Sequence, residues 1–281
     1  MKIKNGCLLS AVAAVIFPVV ANGAAVYEWT FNDGTLSDSF SNGIMAAVGG
    51  TVPNVVDTNG GSIPHIGGVQ ARVLNVPQFL NLGEGFNLTL AATGPNGFGA
   101  YVNQYTIIFD LYSPGGAGWQ ALFQTNPDNP ATNDADWYIA PDAALGIGAL
   151  VYSPAGTIAQ DTWYRIGFSA DLAAGRVTYY VNGTPVVQRN GGPLTDGRFA
   201  LFSNLDAGAD LRLFNEGDES GVYTHALYVN SIAFADSELS AVEMSLLGGP
   251  DADGILIPEP GTGCLALAAV SALVLRRRRV A

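Results

Sequence analysis

Residues 26–31 place Tyr27, Trp29 and Phe31 at every second position, with Glu28 and Thr30 between them. Residues 105–111 repeat the pattern with Tyr105, Ile107, Phe109 and Leu111. A period of two gathers these side chains on one face of a strand and does not make a helical stripe. Aromatic or β-branched stretches at 119–125, 163–170, 199–204, 210–214 and 226–235 read the same way. Glycines and prolines punctuate the chain between them, with Gly-rich loops at 60–61, 115–118 and 191–192. The sharpest local signal is a hairpin. Residues 176–181 run into Asn182-Gly183, and 184–188 return. Asn-Gly suits a type I′ turn because both residues accept positive φ. Many short strands of this kind bury their apolar faces by stacking, which predicts an all-β, antiparallel two-sheet sandwich in one domain, residues 24–249.

One short C-terminal helix is predicted. Asp236 is placed to cap it, and Ser240 and Glu243 stand at capping-box spacing. Leu239, Val242 and Leu246 form a stripe expected to face the sheet. Gly248-Gly249-Pro250 ends the helix. Residues 250–257 follow as a linker.

The two ends read as addresses. Lys2 and Lys4 precede an apolar stretch, 8–20, and small residues, 21–25, which is the order of a secretory signal peptide over 1–23. At the other end, Pro258-Glu259-Pro260 precedes an uncharged apolar run, 261–275, and then Arg276, Arg277, Arg278 and Arg279. As a helix that run spans about 22 Å, short of the roughly 30 Å hydrocarbon core, a deficit that snorkelling arginines can cover. The arginine cluster predicts a cytoplasmic C-terminus with the domain outside.

Both cysteines, Cys7 and Cys264, lie in these end segments, so the exported part has no disulfide and must rely on its core. Six of the 12 Lys+Arg also lie there. The exported part has no lysine. Its arginines are Arg72, Arg165, Arg176, Arg189, Arg198 and Arg212, against 23 carboxylates once Glu259 is set aside, a formal charge of −17. Such a domain repels nucleic acid and anionic lipid, and its acidity also keeps an exported protein soluble.

Two resemblances add to this. The order Pro258-Glu259-Pro260, apolar segment, arginine cluster over 258–281 resembles the PEP-CTERM sorting signal of Gram-negative bacteria. It implies transient anchoring in the inner membrane, cleavage near the motif by an exosortase-type transpeptidase, and delivery to the cell surface or extracellular matrix. Asp161-Thr162-Trp163-Tyr164-Arg165-Ile166-Gly167-Phe168 with Val177 to Gly183, and Tyr228 to Phe234 with Leu239-Ser240-Ala241-Val242-Glu243-Met244, are similar to the central strands and last strand–helix unit of laminin-G-like, concanavalin A-like jelly rolls. That similarity implies the jelly-roll form of the sandwich.

Such folds include glycoside hydrolases and lyases, whose retaining chemistry needs paired carboxylates about 5 Å apart on a rigid frame. The alternating carboxylate triplet that would place them on one strand face is absent. Glu216-Gly217-Asp218-Glu219 is loop-like and wrongly spaced. His65 and His225 stand apart, with no cysteine or serine elbow beside them. Calcium is the one metal to consider, held by loop carboxylates such as Asp134, Asp136, Glu216 and Asp218. No loop has the spacing of a self-contained site, and solvated acidic turns are the alternative. Sugars stack on aromatic faces, and Trp119, Trp137 and Trp163 are candidates. Trp163 falls at the family's core strand position. For Trp137 two places are open, the core or the wall of a loop-rimmed groove. The expected protein is a non-catalytic, exported binding module for a glycan or exopolysaccharide. Alternatives are a polysaccharide-active enzyme of the same fold and a purely structural matrix protein.

Overall fold

The alternating residues stack into two antiparallel sheets. The computed structural model describes residues 26–39, 43–81, 83–90, 94–115, 118–125, 136–148, 150–191, 194, 198–201, 211–215, 226–255 and 257. The predicted signal peptide, sorting motif, apolar tail and arginine cluster lie outside them. Among the described residues, no helix is long and apolar enough to cross a membrane.

The strands in chain order are β1 (Val26–Thr30), β2 (Ile44–Val48), β3 (Val55–Asp57), β4 (Arg72–Val76), β5 (Gly85–Thr89), β6 (Gln104–Tyr112), β7 (Gln120–Gln124) and β8 (Asp136–Ile139). Then come β9 (Leu145–Ile147), β10 (Val151–Tyr152), β11 (Trp163–Asp171), β12 (Arg176–Val181), β13 (Thr184–Asn190), β14 (Leu211–Leu213) and β15 (Leu227–Ala235), before the helix α1 (Ala241–Leu247). The first sheet runs β13-β12-β11-β6-β15-β4-β3, with β1 pairing along β15. The second runs β10-β9-β8-β7-β14-β5-β2. The long strands β6 and β11 pair over nine residues, from Trp163 opposite Tyr112 to Asp171 opposite Gln104.

Period two decides what goes between the sheets. Tyr105, Ile107, Phe109 and Leu111 of β6 point inward with Ile166 and Phe168 of β11, all fully buried. Strand 26–31 ends one residue early, because Phe31 opens a 3-10 turn while still burying its ring. The stretch 199–204 does not form a strand where it is described. Leu201 makes an isolated bridge to Val102.

The hairpin forms as expected, with Val181 opposite Thr184 and Asn182 and Gly183 at φ 48° and 75°. Asn182 does more than turn the chain. Its backbone N–H donates to the Arg165 carbonyl at 2.7 Å, and its Oδ1 accepts the Arg165 N–H at 3.0 Å. The turn is thereby fastened to β11.

The helix has the predicted capping box, with Ser240 and Glu243 bonding reciprocally and Ser240, not Asp236, as N-cap. Its buried face differs from the predicted stripe. Met244 is buried and Leu247 packs partly against the sheet, whereas Val242 and Leu246 are exposed. Leu239 is buried but precedes the cap, so it does not set the phase of the helical face. Gly167 makes the room: a Cβ there would stand 2.6 Å from Met244 Cε.

Of the segment 250–257, expected as a linker, residues 251–255 form a strap across the outer face of the first sheet. Ala252, Gly254 and Ile255 are buried. Its backbone is held by side chains of four elements. Arg165 on β11 donates to the Leu247 and Gly254 carbonyls, and Asp110 on β6 accepts the Asp251 N–H. Glu28 on β1 accepts the Ile255 N–H, and Asn32 donates to the Ala252 carbonyl. Beneath it, Arg165 makes a two-pronged pair with Asp110 at 2.7 Å on each prong. At the other end of this face, Trp163 donates to the Pro64 carbonyl at 2.8 Å under the loop before β4. Loop, strap and helix together cover the middle of the outer face of the first sheet, leaving β13 at its edge exposed.

Gly183 tests this packing. A Cβ there would meet the Met244 carbonyl oxygen at 2.7 Å on top of the positive φ, whereas Gly191, at φ 69°, faces open space. Gly183→Ala is expected to cost about 1–3 kcal/mol and more than Gly191→Ala, read from urea midpoints. Equal costs would mean that the helix does not press on the turn.

Candidate functional site on the outer face of the second sheet

With one outer face covered, the outer face of the second sheet is where side chains can meet a ligand. Its register lines up two rows. Ala46, Asn87, Arg212, Gln124 and Asp136 stand opposite one another across β2, β5, β14, β7 and β8. Ala121, Tyr138, Gly146 and Tyr152 do the same across β7, β8, β9 and β10. Asp136 and Tyr138 are two apart on β8, so the rows lie about 7 Å from each other on one face.

The second row is aromatic. Trp119, just before β7, meets Tyr138 edge to face at 5.6 Å between centroids and Tyr152 at 6.1 Å. Trp119 and Tyr152 are half-buried, and Tyr138 is 8% exposed beneath them. Gly146 is required here. Its Cβ would stand 2.6 Å from Tyr152 Cδ1 and 2.4 Å from the Val151 oxygen, so only a residue without a side chain lets the tyrosine lie over β9. The first row is polar. Arg212 Nε donates to Asn87 Oδ1 at 2.6 Å. Gln124 is fully buried and Arg212 is 8% exposed, so Asn87 and Asp136, both half-buried, are what this row brings to the surface. Burial, then the negative charges of Asp136 and Asp142, pushes the Tyr152 phenol above its ordinary value. It therefore stays a neutral donor over the physiological range.

An aromatic ridge beside the half-buried amide of Asn87 and carboxylate of Asp136 offers flat apolar faces and directional hydrogen bonds side by side. That combination suits a ligand with both C–H faces and hydroxyls.

Trp137 corrects one expectation. It lines no groove. It points inward from β8, is fully buried, and packs against Phe123 and Phe168 at 5.6 Å each, with Tyr179 at 5.7 Å. Alternation decides this: Asp136 and Tyr138 face out, so the residue between them faces the core. Trp163 is buried, under the loop before β4. Trp119 alone of the three candidates reaches the open face. Tyr138 and Tyr152 lie on strands that the sequence pattern did not reveal; the clue was the repeat of aromatic residues at 137–138 and 152.

Of the carboxylates considered for calcium, Asp134, Glu216 and Asp218 lie outside the described residues, as does His225. Asp136 stands in the polar row. Among the described residues, no group of three or more His, Cys, Asp or Glu side chains is placed to hold a metal ion. His65 Nδ1 is 3.0 Å from Thr58 Oγ1, inside its own loop.

No family model matches the chain, and no curated protein matches it. Solved structures do. The binding domain of Paraclostridial Mosquitocidal Protein 1 superposes with a TM-score of 0.52 at 12% identity, over 80% of this chain and 51% of that one. Domain 4 of AbnA, a GH43 extracellular arabinanase from Geobacillus stearothermophilus, solved in complex with arabinotriose, gives 0.49 at 16%, over 80% and 99%. The binding domain of botulinum neurotoxin serotype G gives 0.49 at 15%, over 79% and 50%. The chain thus spans about half the length of the mosquitocidal-protein and neurotoxin binding domains. What the mosquitocidal domain shares with it at this identity is the fold: a two-sheet antiparallel β-sandwich.

Trp119, just before β7, and Trp137 of β8 separate site from core. Trp137→Ala is expected to lose about 3–5 kcal/mol of stability, as for a large buried aromatic, and Trp119→Ala less than half of that. Thermal unfolding of the two variants checks it, and equal losses would place Trp119 in the core.

Proposed function

We propose that this chain is an exported, non-catalytic module that binds a glycan through the outer face of its second sheet. The observation that carries the reading is the ridge Trp119–Tyr138–Tyr152 running beside Asn87 and Asp136. Sugar rings present an apolar C–H face and equatorial hydroxyls, and the two rows match them about one strand step apart. The sandwich shared with a protein described as a binding domain is in keeping with this. We place the fold among laminin-G-like, concanavalin A-like jelly rolls on the motifs at 161–183 and 226–249. The ligand class we favour is an exopolysaccharide outside the cell. Residues 1–23 would be removed on export, and the tail after Pro258-Glu259-Pro260 would be the substrate of an exosortase-type transpeptidase.

The covered face adds an orientation. The strap carrying the chain to Ile257 lies on the first sheet, and the ridge lies on the opposite side of the sandwich. A module held at its C-terminal side would therefore present the ridge away from its attachment.

A polysaccharide panel read for both binding and turnover tests the reading on the full-length protein. Saturable binding to at least one glycan is expected, weakened about tenfold, or ~1.4 kcal/mol, by Trp119→Ala and by Tyr152→Ala without unfolding. Turnover abolished by one carboxylate substitution would make the chain an enzyme. No saturable binding would leave a structural matrix protein. For sorting, the intact mass of the mature surface form should lack Arg276 to Arg279; a full-length tail there would indicate a plain anchor.

A further inference from the structure

Two carboxyl groups and one guanidinium lie beneath the strap. Asp110 is fully buried and Arg165 nearly so, and both prongs of the guanidinium are committed to Asp110. Glu28 is 2% exposed, and its Oε1 accepts the Ile255 N–H at 2.6 Å. The strap presses on this carboxyl: a Cβ on Gly254, which sits at φ 108°, would stand 2.6 Å from Glu28 Oε1.

The charged groups around Glu28 can be named element by element. Asp110 faces it from β6 and Arg165 from β11. Asp38, in the loop after β1, accepts the Glu28 backbone N–H at 2.9 Å. Strand β15 carries no carboxylate and no cation; its one titratable side chain is the Tyr228 phenol. On the strap, Asp251 and Asp253 are exposed, and Asp251 Oδ1 accepts the Asp253 N–H. Glu243 of α1 is engaged in the capping box. The local balance is one cation against three carboxyl groups when Glu28 is ionised.

We propose that residues 251–255 form a pH-dependent latch, shut while Glu28 is protonated and loosened as its ionisation leaves two buried carboxylates to share one guanidinium. Burial, with the charges of Asp110 and Asp38, outweighs the Ile255 N–H and Arg165 and pushes Glu28 from 4.5 up to about 7. Burial moves Asp110 in the same direction against the pull of Arg165. Lifting the strap returns Glu28 to water and to its ordinary value. The closed form therefore holds more protons than the open form between those two values. Closure is tightest below pH 4.5, weakens as pH rises toward about 7, and is level above it. The opening equilibrium rises about tenfold per pH unit across that window, roughly 300-fold in all. An opened strap, extended at roughly 3.3–3.6 Å per residue, becomes a tether on the order of 35 Å long between α1 and Ile257.

Hydrogen exchange of the full-length protein between pH 4 and 8.5, corrected for intrinsic rates, tests this. Protection of the Asp251 and Ile255 amides should fall about tenfold per pH unit from 4.5 to 7 and then level off. The β6 and β11 amides should stay protected, which separates strap opening from unfolding. Glu28→Gln should flatten the profile. Flat wild-type strap protection, or the same slope in Glu28→Gln, overturns the latch. Should that variant fail to fold, carbon NMR titration of the wild-type Glu28 carboxyl decides. A midpoint near 7 supports the latch, and one near 4.5 excludes it.

Discussion

The guanidinium of Arg165 is the point on which the covered side of the molecule depends. It joins β11 to β6 through Asp110 and reaches the Leu247 carbonyl at the end of α1 and the Gly254 carbonyl of the strap. The backbone of the same residue exchanges two hydrogen bonds with Asn182 at the hairpin turn. A charge this deeply buried is tolerated only when paired and fully bonded. Such a pair adds little over well-packed apolar residues, yet losing one partner costs about 3–5 kcal/mol. The pair is better understood as a device for specificity. It fixes where the C-terminal segment lies, and an apolar strap could slide.

That placement divides the molecule's two faces. With the middle of the first sheet covered by loop, helix and strap, the second sheet carries the aromatic and polar rows. Four of the domain's six arginines are engaged within the fold. Arg165 is buried, and Arg176 is bound to Glu238 with Asp171 close by at 3.5 Å. Arg198 lies over the Phe199 ring at 5.3 Å, and Arg212 reaches Asn87. A chain with so few cations uses them where a carboxylate, an amide or a ring would otherwise go unpartnered.

Features written in adjacent residues were legible in the sequence. The Asn182-Gly183 turn and the Ser240–Glu243 capping box declare themselves locally, and the strong alternation of 105–111 and 163–170 placed the two central strands. Strands that depend on partners did not show. Residues 44–48 contain two alanines, 145–147 are centred on a glycine, and 151–152 are only two residues long, so tertiary pairing outweighs weak propensity there. With those strands unseen, Tyr138 and Tyr152 could not be placed beside Trp119. The face of Trp137 followed from one-residue parity, which needs the strand's exact register. The strap was least legible. Asp-Ala-Asp-Gly-Ile reads as linker composition, and it is held through its backbone amides and carbonyls, which no side-chain pattern displays.

A double-mutant cycle on Asp110→Asn and Arg165→Met, read by urea unfolding together with hydrogen exchange at 251–255, tests this account most directly. It predicts a coupling energy of about 2–3 kcal/mol and loss of strap protection in either single variant. Additive losses within about 0.5 kcal/mol, with the strap still protected, would contradict it.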